Sequence, residues 1–312
     1  QAEDGILDHC VTGVQTCALP ISPDALLIGI APQGGGLPDS WRAVVADALT
    51  RGWDVFSGLH TFLADDPELA ALAARHGGTI HDVRRPPIAR PIAARRVLGC
   101  EALVVLTVGT DCNVGKMTTA LEVHTELRSR GVRSAFVATG QTGILVADQG
   151  AAIDAVPADF VAGVVERMVL DAAREADVVF VEGQGAIHHP AYSGVTLSLM
   201  HGACPELMIL CHQAGRTHMK LSDAAPAPRL GALSQVLLDN ERAAGWLRPA
   251  TVVALSLNTM LLDEVEAKRA LENAEKLTGL PTVDPVRYGT EVIATELIRR
   301  LDERRRRKTG ED

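Results

Sequence analysis

The sequence predicts an α/β protein with two parallel-sheet domains, the second of which carries a phosphate-binding loop. Short apolar runs alternate with amphipathic segments along the chain, as expected for strands joined by crossover helices. A glycine-flanked loop ending in a lysine follows one of these runs, at residues 109–119. The 312 residues are 47% hydrophobic but only 3% aromatic, which suits helices packed closely on a sheet.

The first predicted domain, residues 23–95, is a small Rossmann-like α/β unit followed by a linker. Residues 25–31 form an apolar run typical of a buried strand, and the loop 32–36 follows it. Ser40 is predicted to cap the next helix, which Gly52 ends. The remaining predicted elements are a strand at 54–57, a helix at 67–76, a strand at 79–82 and a proline-rich linker at 83–94.

Residues 1–22 are predicted to be a non-native leader. They show neither helical nor strand periodicity, and residues 11–21 are similar to a string produced when sequencing adapters are translated. We therefore exclude this segment from the fold prediction, as one excludes an expression scar.

The second predicted domain, residues 96–312, repeats the strand and helix alternation over a longer stretch. Strands are predicted at 103–107, 134–138, 178–181, 206–211 and 251–256. Helices are predicted at 116–130, 159–176, 233–244, 263–278 and 291–307. This order predicts a mostly parallel sheet with helices on both faces.

The composition argues against several partners. Acidic residues outnumber basic ones 39 to 30, which gives a net charge of -9 and disfavours nucleic acid. The only basic run, residues 304–308, is predicted to be a solvated helix end. No apolar stretch is long enough for a membrane span. The six cysteines show no metal or disulfide spacing, so we expect a reducing, cytoplasmic location.

The phosphate-binding loop is the strongest functional signal. Its residues are Gly109, Thr110, Asp111, Cys112, Asn113, Val114, Gly115, Lys116, Met117, Thr118 and Thr119. Glycines allow backbone amides to turn towards an anion, the helix N-terminus adds a positive dipole, and Lys116 adds a charge. The five residues between the glycines resemble the longer loop of dethiobiotin synthetase and its relatives.

A second element is predicted to face this loop. The apolar strand at 178–181 ends in Glu182, followed by Gly183 and Gly185. An acid in this place holds a metal ion or its water in many phosphate-loop proteins. The alternative is a strand-end glutamate that caps a helix.

Three motifs together resemble the D-glutamate N-acetyltransferase family, formerly a domain of unknown function. They are the loop 109–119, the segment 181–185 and the segment 212–216. Residues 28–35, 57–60 and 82–87 are similar to the family's N-terminal Rossmann-like half. The resemblance covers about residues 25–300. It implies that the first domain is truncated at its start and that the protein assembles with copies of itself.

The resemblance also implies acetyl transfer from acetyl-CoA to the amine of D-glutamate or a similar small-molecule amino acid. Met117 agrees with this, because nucleotide hydrolases and kinases place a magnesium-binding hydroxyl directly after the lysine. Thr118 or Thr119 remains as a substitute ligand. The alternatives are an ATP- and Mg²⁺-dependent ligase or kinase, and a nucleotide-binding module without catalysis.

Candidate catalytic and binding residues follow from the demands of acetyl transfer. A base must accept the substrate's ammonium proton, and His188, His189 and His212 follow strands at the predicted ligand edge; we select His188, His212 and Glu182 as catalytic. Arg216 is the predicted substrate-binding residue for a dicarboxylate. Structural roles remain alternatives for each. Cys112, at a helix N-terminus, is a candidate for a lowered thiol pKa and a covalent acetyl route. No metal site is predicted.

Overall fold

A computed structural model of the chain describes residues 23–29, 35–147, 149–221 and 226–309. The chain divides between Arg84 and Arg85 into two compact units. Each unit contains a parallel sheet, so the predicted α/β class is confirmed. The predicted leader 1–22 and loop residues 32–34 lie outside the described residues.

The first unit has a three-stranded sheet in the order β1-β2-β3. Its strands are β1 (Ala25–Ile28), β2 (Asp54–Ser57) and β3 (Ile80–Asp82), and its helices are α1 (Asp39–Thr50) and α2 (Pro67–His76). Leu49, Val55 and Leu69 belong to its buried core. The predicted cap at Ser40 is wrong. The residue before the helix is Pro38, two positions earlier, and its carbonyl accepts hydrogen bonds from the Trp41 and Arg42 amides.

The second unit has a six-stranded sheet in the order β5-β6-β4-β7-β8-β9. The strands are β4 (Leu103–Gly109), β5 (Ser134–Val137), β6 (Val178–Val181), β7 (Leu207–Gln213), β8 (Thr251–Asn258) and β9 (Thr282–Val283). The helices are α3 (Lys116–Ser129), α4 (Gln141–Ala147), α5 (Ala158–Ala172), α6 (Ser193–Ala203), α7 (Leu233–Gly245), α8 (Glu264–Thr278), α9 (Pro285–Tyr288) and α10 (Glu291–Thr309). Every residue of β4 is buried, as expected for a strand in the interior of the sheet.

Four of these elements were not predicted. Strand β9 and helices α4 and α9 are short, and α6 lacks the polar face that reveals a helix in sequence. Helix α6 packs closely on α5, where a Cβ added to Gly202 would lie 2.4 Å from the Ala162 carbonyl oxygen. The positions of α6 that are not buried carry mostly small or apolar residues, which leaves little amphipathic signal.

The second half of the predicted linker is fixed to α5. The carboxylate of Glu166, which is 1% exposed, accepts hydrogen bonds from the Ala94 and Arg96 amides and from the Arg96 guanidinium. A Cβ on Gly163 would lie 1.7 Å from the Pro91 carbonyl oxygen. The linker backbone therefore lies directly against the helix.

The basic run at the end of α10 is not simply solvated, so that prediction is wrong for Arg304. Its guanidinium donates to the Glu206 carboxylate at 3.0 Å and to the carbonyl oxygens of Cys100 and Glu101. Glu206 and Glu101 precede β7 and β4, so Arg304 docks the helix on the amino-terminal edge of the sheet. This leaves the opposite, carboxyl-terminal edge for the functional residues.

Candidate functional site

Three neighbouring strands end at the candidate site. Strand β4 lies between β6 and β7, with Leu106 paired with Val181 and Gly109 paired with Cys211. Because the strands are parallel, the loop after β4, Glu182 after β6 and His212 near the end of β7 lie at the same edge. Ligands bind at this edge in open α/β sheets.

The loop between β4 and α3 has the backbone of an anion cradle. Asn113 and Gly115 adopt positive φ angles of 53° and 103°, a conformation that turns successive amides to one side. A Cβ on Gly109 would lie 2.9 Å from Val114 Cγ2 and 3.1 Å from Lys116 Nζ. Glycine is therefore needed where the loop closes over the lysine.

Lys116 is buried at the centre of this cradle. It is the first residue of α3 and is 6% exposed, and its Nζ donates to the Asp111 carbonyl oxygen at 2.8 Å. Burial lowers the pKa of this ammonium. An ammonium has three N–H groups, and this carbonyl is its only hydrogen-bond partner within the described residues. An anion in the loop would supply the missing partners and the opposite charge.

The hydroxyl groups near Lys116 differ in availability. Thr119 is 1% exposed, and its Oγ1 donates to the Gly115 carbonyl oxygen at 2.9 Å and lies 2.7 Å from Ser256 Oγ. Met117 supplies no oxygen, and Thr118 is half-buried. Thr119 is therefore already used inside the protein.

Glu182 holds a second loop at the sheet edge. It is 5% exposed and accepts hydrogen bonds from the Thr139 and Gly140 amides at 2.8 and 3.1 Å. Burial raises the pKa of its carboxyl despite these hydrogen bonds. A Cβ on Gly143 would lie 2.4 Å from its Oε2. Glu182 thus binds the backbone just before α4, which is close to the capping alternative.

This second loop, residues 139–143, was not identified from the sequence. Its signal was the segment Thr139-Gly140-Gln141-Thr142-Gly143, which directly follows a strand. Glycines at a strand-to-helix turn mark positions where side chains do not fit.

Gly183 brings the residues after β6 against β4. Its amide donates to Thr107 Oγ1 at 2.9 Å. A Cβ there would lie 1.6 Å from the Thr107 carbonyl oxygen and 3.2 Å from Lys116 Cδ. This close approach packs the Gly183 backbone on the side chain of the buried lysine.

Asp111 connects the phosphate loop to the segment after β7. Its carboxylate is fully buried and accepts hydrogen bonds from the Cys112 amide, the Lys220 amide and Arg216 Nη1, at 2.7, 2.8 and 3.0 Å. Arg216 Nη1 also donates to the Cys112 carbonyl oxygen at 2.7 Å. The predicted substrate-binding arginine is therefore fixed beside the loop, with its side chain 18% exposed.

Asp111, Cys112 and His189 also bring a carboxylate, a thiol and an imidazole within 4.8 Å of one another. The Asp111 carboxylate already accepts a hydrogen bond from the Arg216 guanidinium. His189 Nε2 donates to the Lys220 carbonyl oxygen at 3.1 Å, and its Nδ1 accepts from the Ala191 amide at 3.2 Å. The carboxylate and the imidazole therefore already have hydrogen-bond partners outside this group of three, and a cation would have to displace Arg216.

The expectation of a lowered pKa for Cys112 is wrong. Burial raises the pKa of this thiol, and this effect exceeds the opposing influence of the Lys116 charge. The loop therefore favours the protonated thiol, which is a poor nucleophile.

The two candidate histidines lie in different surroundings. His212 Nδ1 is 2.8 Å from Thr110 Oγ1, and burial together with the nearby Arg216 charge lowers its pKa to about 4. His188 Nε2 is 3.0 Å from the carboxylate of Asp239 in α7, and its side chain is 36% exposed. The structure thus joins His212 to the phosphate loop and His188 to α7.

No helix among the described residues is long and apolar enough to cross a membrane.

Two family profiles match the chain. DUF1611, described as a domain of unknown function with a P-loop, matches residues 91–294, and the Rossmann-like DUF1611_N domain matches residues 5–86.

Named relatives and a solved structure agree with these profiles. A D-glutamate N-acetyltransferase from Tritonibacter scottomollicae is 45% identical over 267 residues, 85% of this chain and 78% of that protein. Another D-glutamate N-acetyltransferase, from Pseudoalteromonas sp., is 34% identical over 291 residues, 92% of this chain and 86% of that protein.

The crystal structure of a DUF1611 family protein from Anabaena variabilis superposes with a TM-score of 0.84 at 40% identity, covering 89% of this chain and 80% of that one. Its likeness extends over both domains that the profiles match. The D-glutamate N-acetyltransferase relatives show that the chain is an acetyltransferase. The two profiles show that it belongs to the DUF1611 family.

Proposed function

We propose that this enzyme transfers an acetyl group from acetyl-CoA to the amine of D-glutamate or a similar amino acid, with the phosphate loop holding the coenzyme's diphosphate. Two relatives carry the name D-glutamate N-acetyltransferase, which supports the substrate. The observation that carries the proposal for the loop is a buried lysine in an anion cradle, without a hydroxyl at residue 117.

The loop fits a diphosphate by its donors and its shape. The helix N-terminus, the turned amides near Asn113 and Gly115, and the partly unpaired Lys116 ammonium all favour a buried negative charge. Binding would return to Lys116 the electrostatic stabilisation lost through burial. A diphosphate held in this way fixes one end of the coenzyme.

The same residues favour a coenzyme over Mg²⁺-ATP. In phosphate-loop kinases and ligases the residue after the lysine is a magnesium ligand, and Met117 offers a thioether instead. Thr119 is committed to Ser256 and Gly115. A loop that grips phosphates without this ligand suits a coenzyme whose reactive group lies elsewhere.

Arg216 is the proposed anchor for a carboxylate of the amino acid. Asp111 engages one of its terminal nitrogens, and a guanidinium carries five N–H donors in a planar fork. The donors on its other nitrogens suit the two oxygens of a carboxylate. This arrangement can hold one carboxylate of the amino acid.

Acetyl transfer requires one bond to form and one to break. The amine nitrogen bonds to the acetyl carbonyl carbon, the carbon–sulfur bond breaks, and the sulfur leaves with its electron pair and gains a proton. A base must first accept a proton from the substrate's ammonium group. His188 is our proposed base, because Asp239 orients its ring and the side chain is accessible to a substrate.

Glu182 is proposed to act indirectly. Its carboxylate is occupied by the Thr139 and Gly140 amides, so it positions the loop 139–143 at the sheet edge. We also propose the reducing cytoplasm as the site of action. The free thiols at Cys100, Cys112, Cys204 and Cys211 support this.

The proposed loop ligand is tested by thermal unfolding of the full chain with acetyl-CoA or with Mg²⁺-ATP. A ligand at about 100 times its Kd stabilises the folded state by roughly 2.7 kcal/mol, which raises the Tm by several degrees. We expect acetyl-CoA to raise the Tm and Mg²⁺-ATP to leave it unchanged. A shift with Mg²⁺-ATP alone would favour the ligase or kinase alternative. Lys116→Met is the control, since it should abolish the shift with either ligand.

A further inference from the structure

A side-chain hydrogen bond extends the pairing of β4 and β7 into the phosphate loop. The Thr110 amide donates to the Cys211 carbonyl oxygen at 3.0 Å, and Thr110 Oγ1 lies 2.8 Å from His212 Nδ1. Thr110 directly follows Gly109, where the loop begins, and His212 directly follows Cys211, the sheet partner of Gly109. The His212 ring is therefore fixed to the phosphate loop itself.

The burial of Thr110 decides which atom carries the proton. Thr110 is 1% exposed, so bulk water does not reach its hydroxyl. His212 Nδ1 is its only hydrogen-bond partner within the described residues. If Nδ1 carried a proton, the hydroxyl proton would have no acceptor, which disfavours that tautomer by about 10-fold or more. The Thr110 hydroxyl therefore donates to Nδ1.

The proton of a neutral His212 ring then lies on Nε2. Burial and Arg216 keep the ring neutral near pH 7, with a pKa of about 4. The Nδ1 lone pair is occupied by the Thr110 proton, so the ring has no free lone pair with which to accept a proton. The half-buried ring uses Nδ1 alone in the hydrogen bonds of the described residues.

We infer that His212 is a neutral hydrogen-bond donor, which presents Nε2–H to an oxygen of the anion in the phosphate loop, and that it is not the general base. Thr110 is its positioning residue. The inference rests on the proposed function only for the identity of the anion, the coenzyme diphosphate. Another residue must then accept the proton from the substrate's ammonium group, and His212 binds the anion in the loop as Lys116 does.

The tautomer is tested directly by a long-range ¹H–¹⁵N NMR spectrum of the full chain with labelled histidine. We expect His212 to show a protonated Nε2 and an unprotonated Nδ1 near pH 7. His212→Gln identifies its signal by loss. Thr110→Val should reduce the preference and Thr110→Ser should keep it. A protonated Nδ1 in the unaltered protein would overturn the inference.

The role is tested by calorimetric titration with coenzyme A and by steady-state kinetics. His212→Leu removes the donor and should raise the Kd for coenzyme A by about 10- to 100-fold, as expected for a hydrogen bond to a charged group. His212→Gln keeps an N–H near the position of Nε2 and should change the Kd by less than about 3-fold. An unchanged Kd in both variants would overturn the inference.

A general base gives the opposite pattern. Both variants would then lose kcat equally, by about 100- to 10,000-fold, with an unchanged Kd, and this result would also overturn the inference. If the unaltered protein does not bind coenzyme A, the proposed function fails at the loop. The NMR spectrum still decides the tautomer in that case.

Discussion

Gly183→Ala is expected to disturb the site at its most closely packed point. The added Cβ would lie 1.6 Å from the Thr107 carbonyl oxygen, whereas ordinary contact begins at 3.4 Å. The clash is with the backbone of β4, so no side-chain rotation relieves it. The residues after β6 must move away from β4 by about 1.8 Å.

The cost follows from this displacement. Overpacking costs about 1–3 kcal/mol, and we expect about 3 kcal/mol here because the backbone of a fully buried strand must adjust. The hydrogen bond from the Gly183 amide to Thr107 Oγ1 is lost in the same movement. For a domain of this size the Tm should fall by about 6–12 °C. Because the new methyl group also lies 3.2 Å from Lys116 Cδ, coenzyme A should bind more weakly.

Thermal unfolding by circular dichroism and titration with coenzyme A measure both effects. Gly194→Ala is the matched control, because Gly194 lies in α6 and a Cβ there meets nothing within 4 Å. Alanine in a helix should be neutral or slightly stabilising. A Gly183→Ala protein with the Tm and coenzyme affinity of the Gly194→Ala protein would refute the packing argument.

Two further variants test the linker contact and the substrate contact. Glu166→Gln should lower the free energy of unfolding by about 1–3 kcal/mol at pH 7. Burial opposes ionisation of Glu166, but the hydrogen bonds from Arg96 and Ala94 outweigh burial and hold the pKa of Glu166 below its usual value. That stabilisation is complete above the ordinary glutamate pKa of about 4.3 and disappears as the pH falls through the lower folded pKa. In urea unfolding between pH 7 and pH 3, the free energies of unfolding of the two proteins should therefore converge. A constant difference between them would contradict this assignment. Arg216→Lys should raise the KM for D-glutamate by about 10-fold through loss of the fork geometry, with little change in the KM for acetyl-CoA; a rise confined to the coenzyme would move Arg216 to the coenzyme site.

The main features of the fold were predictable because their signals are local. Gly109, Gly115 and Lys116 lie within eight consecutive positions, between an apolar strand and a helix, and the turn and the phosphate cradle follow from that spacing. The strand order placed Glu182 and His212 at the same edge, because parallel strands end together. Helix α6 was missed because its less buried positions carry mostly small or apolar residues, which leaves little amphipathic pattern.

The details of the site depend on contacts that are distant in sequence. Asp111 accepts from Arg216 and Lys220, which follow it by more than 100 positions. Nothing near Asp111 in the sequence indicates these partners. The protonation of Cys112 and His212 likewise depends on desolvation by elements on either side of the loop. Sequence spacing could identify the residue types, while the charge and proton on each require the packed structure.

The central claim is acetyl transfer from acetyl-CoA to an acidic amino acid, and thiol release tests it most directly. The full chain is mixed with acetyl-CoA, and free coenzyme A thiol is measured with and without D-glutamate, alongside L-glutamate and with Lys116→Met as the loop control. We predict thiol release that depends on D-glutamate, matched by equal formation of N-acetyl-D-glutamate in the mass spectrum and lost in Lys116→Met. A folded protein that binds both compounds but releases no thiol with D-glutamate would contradict the claim.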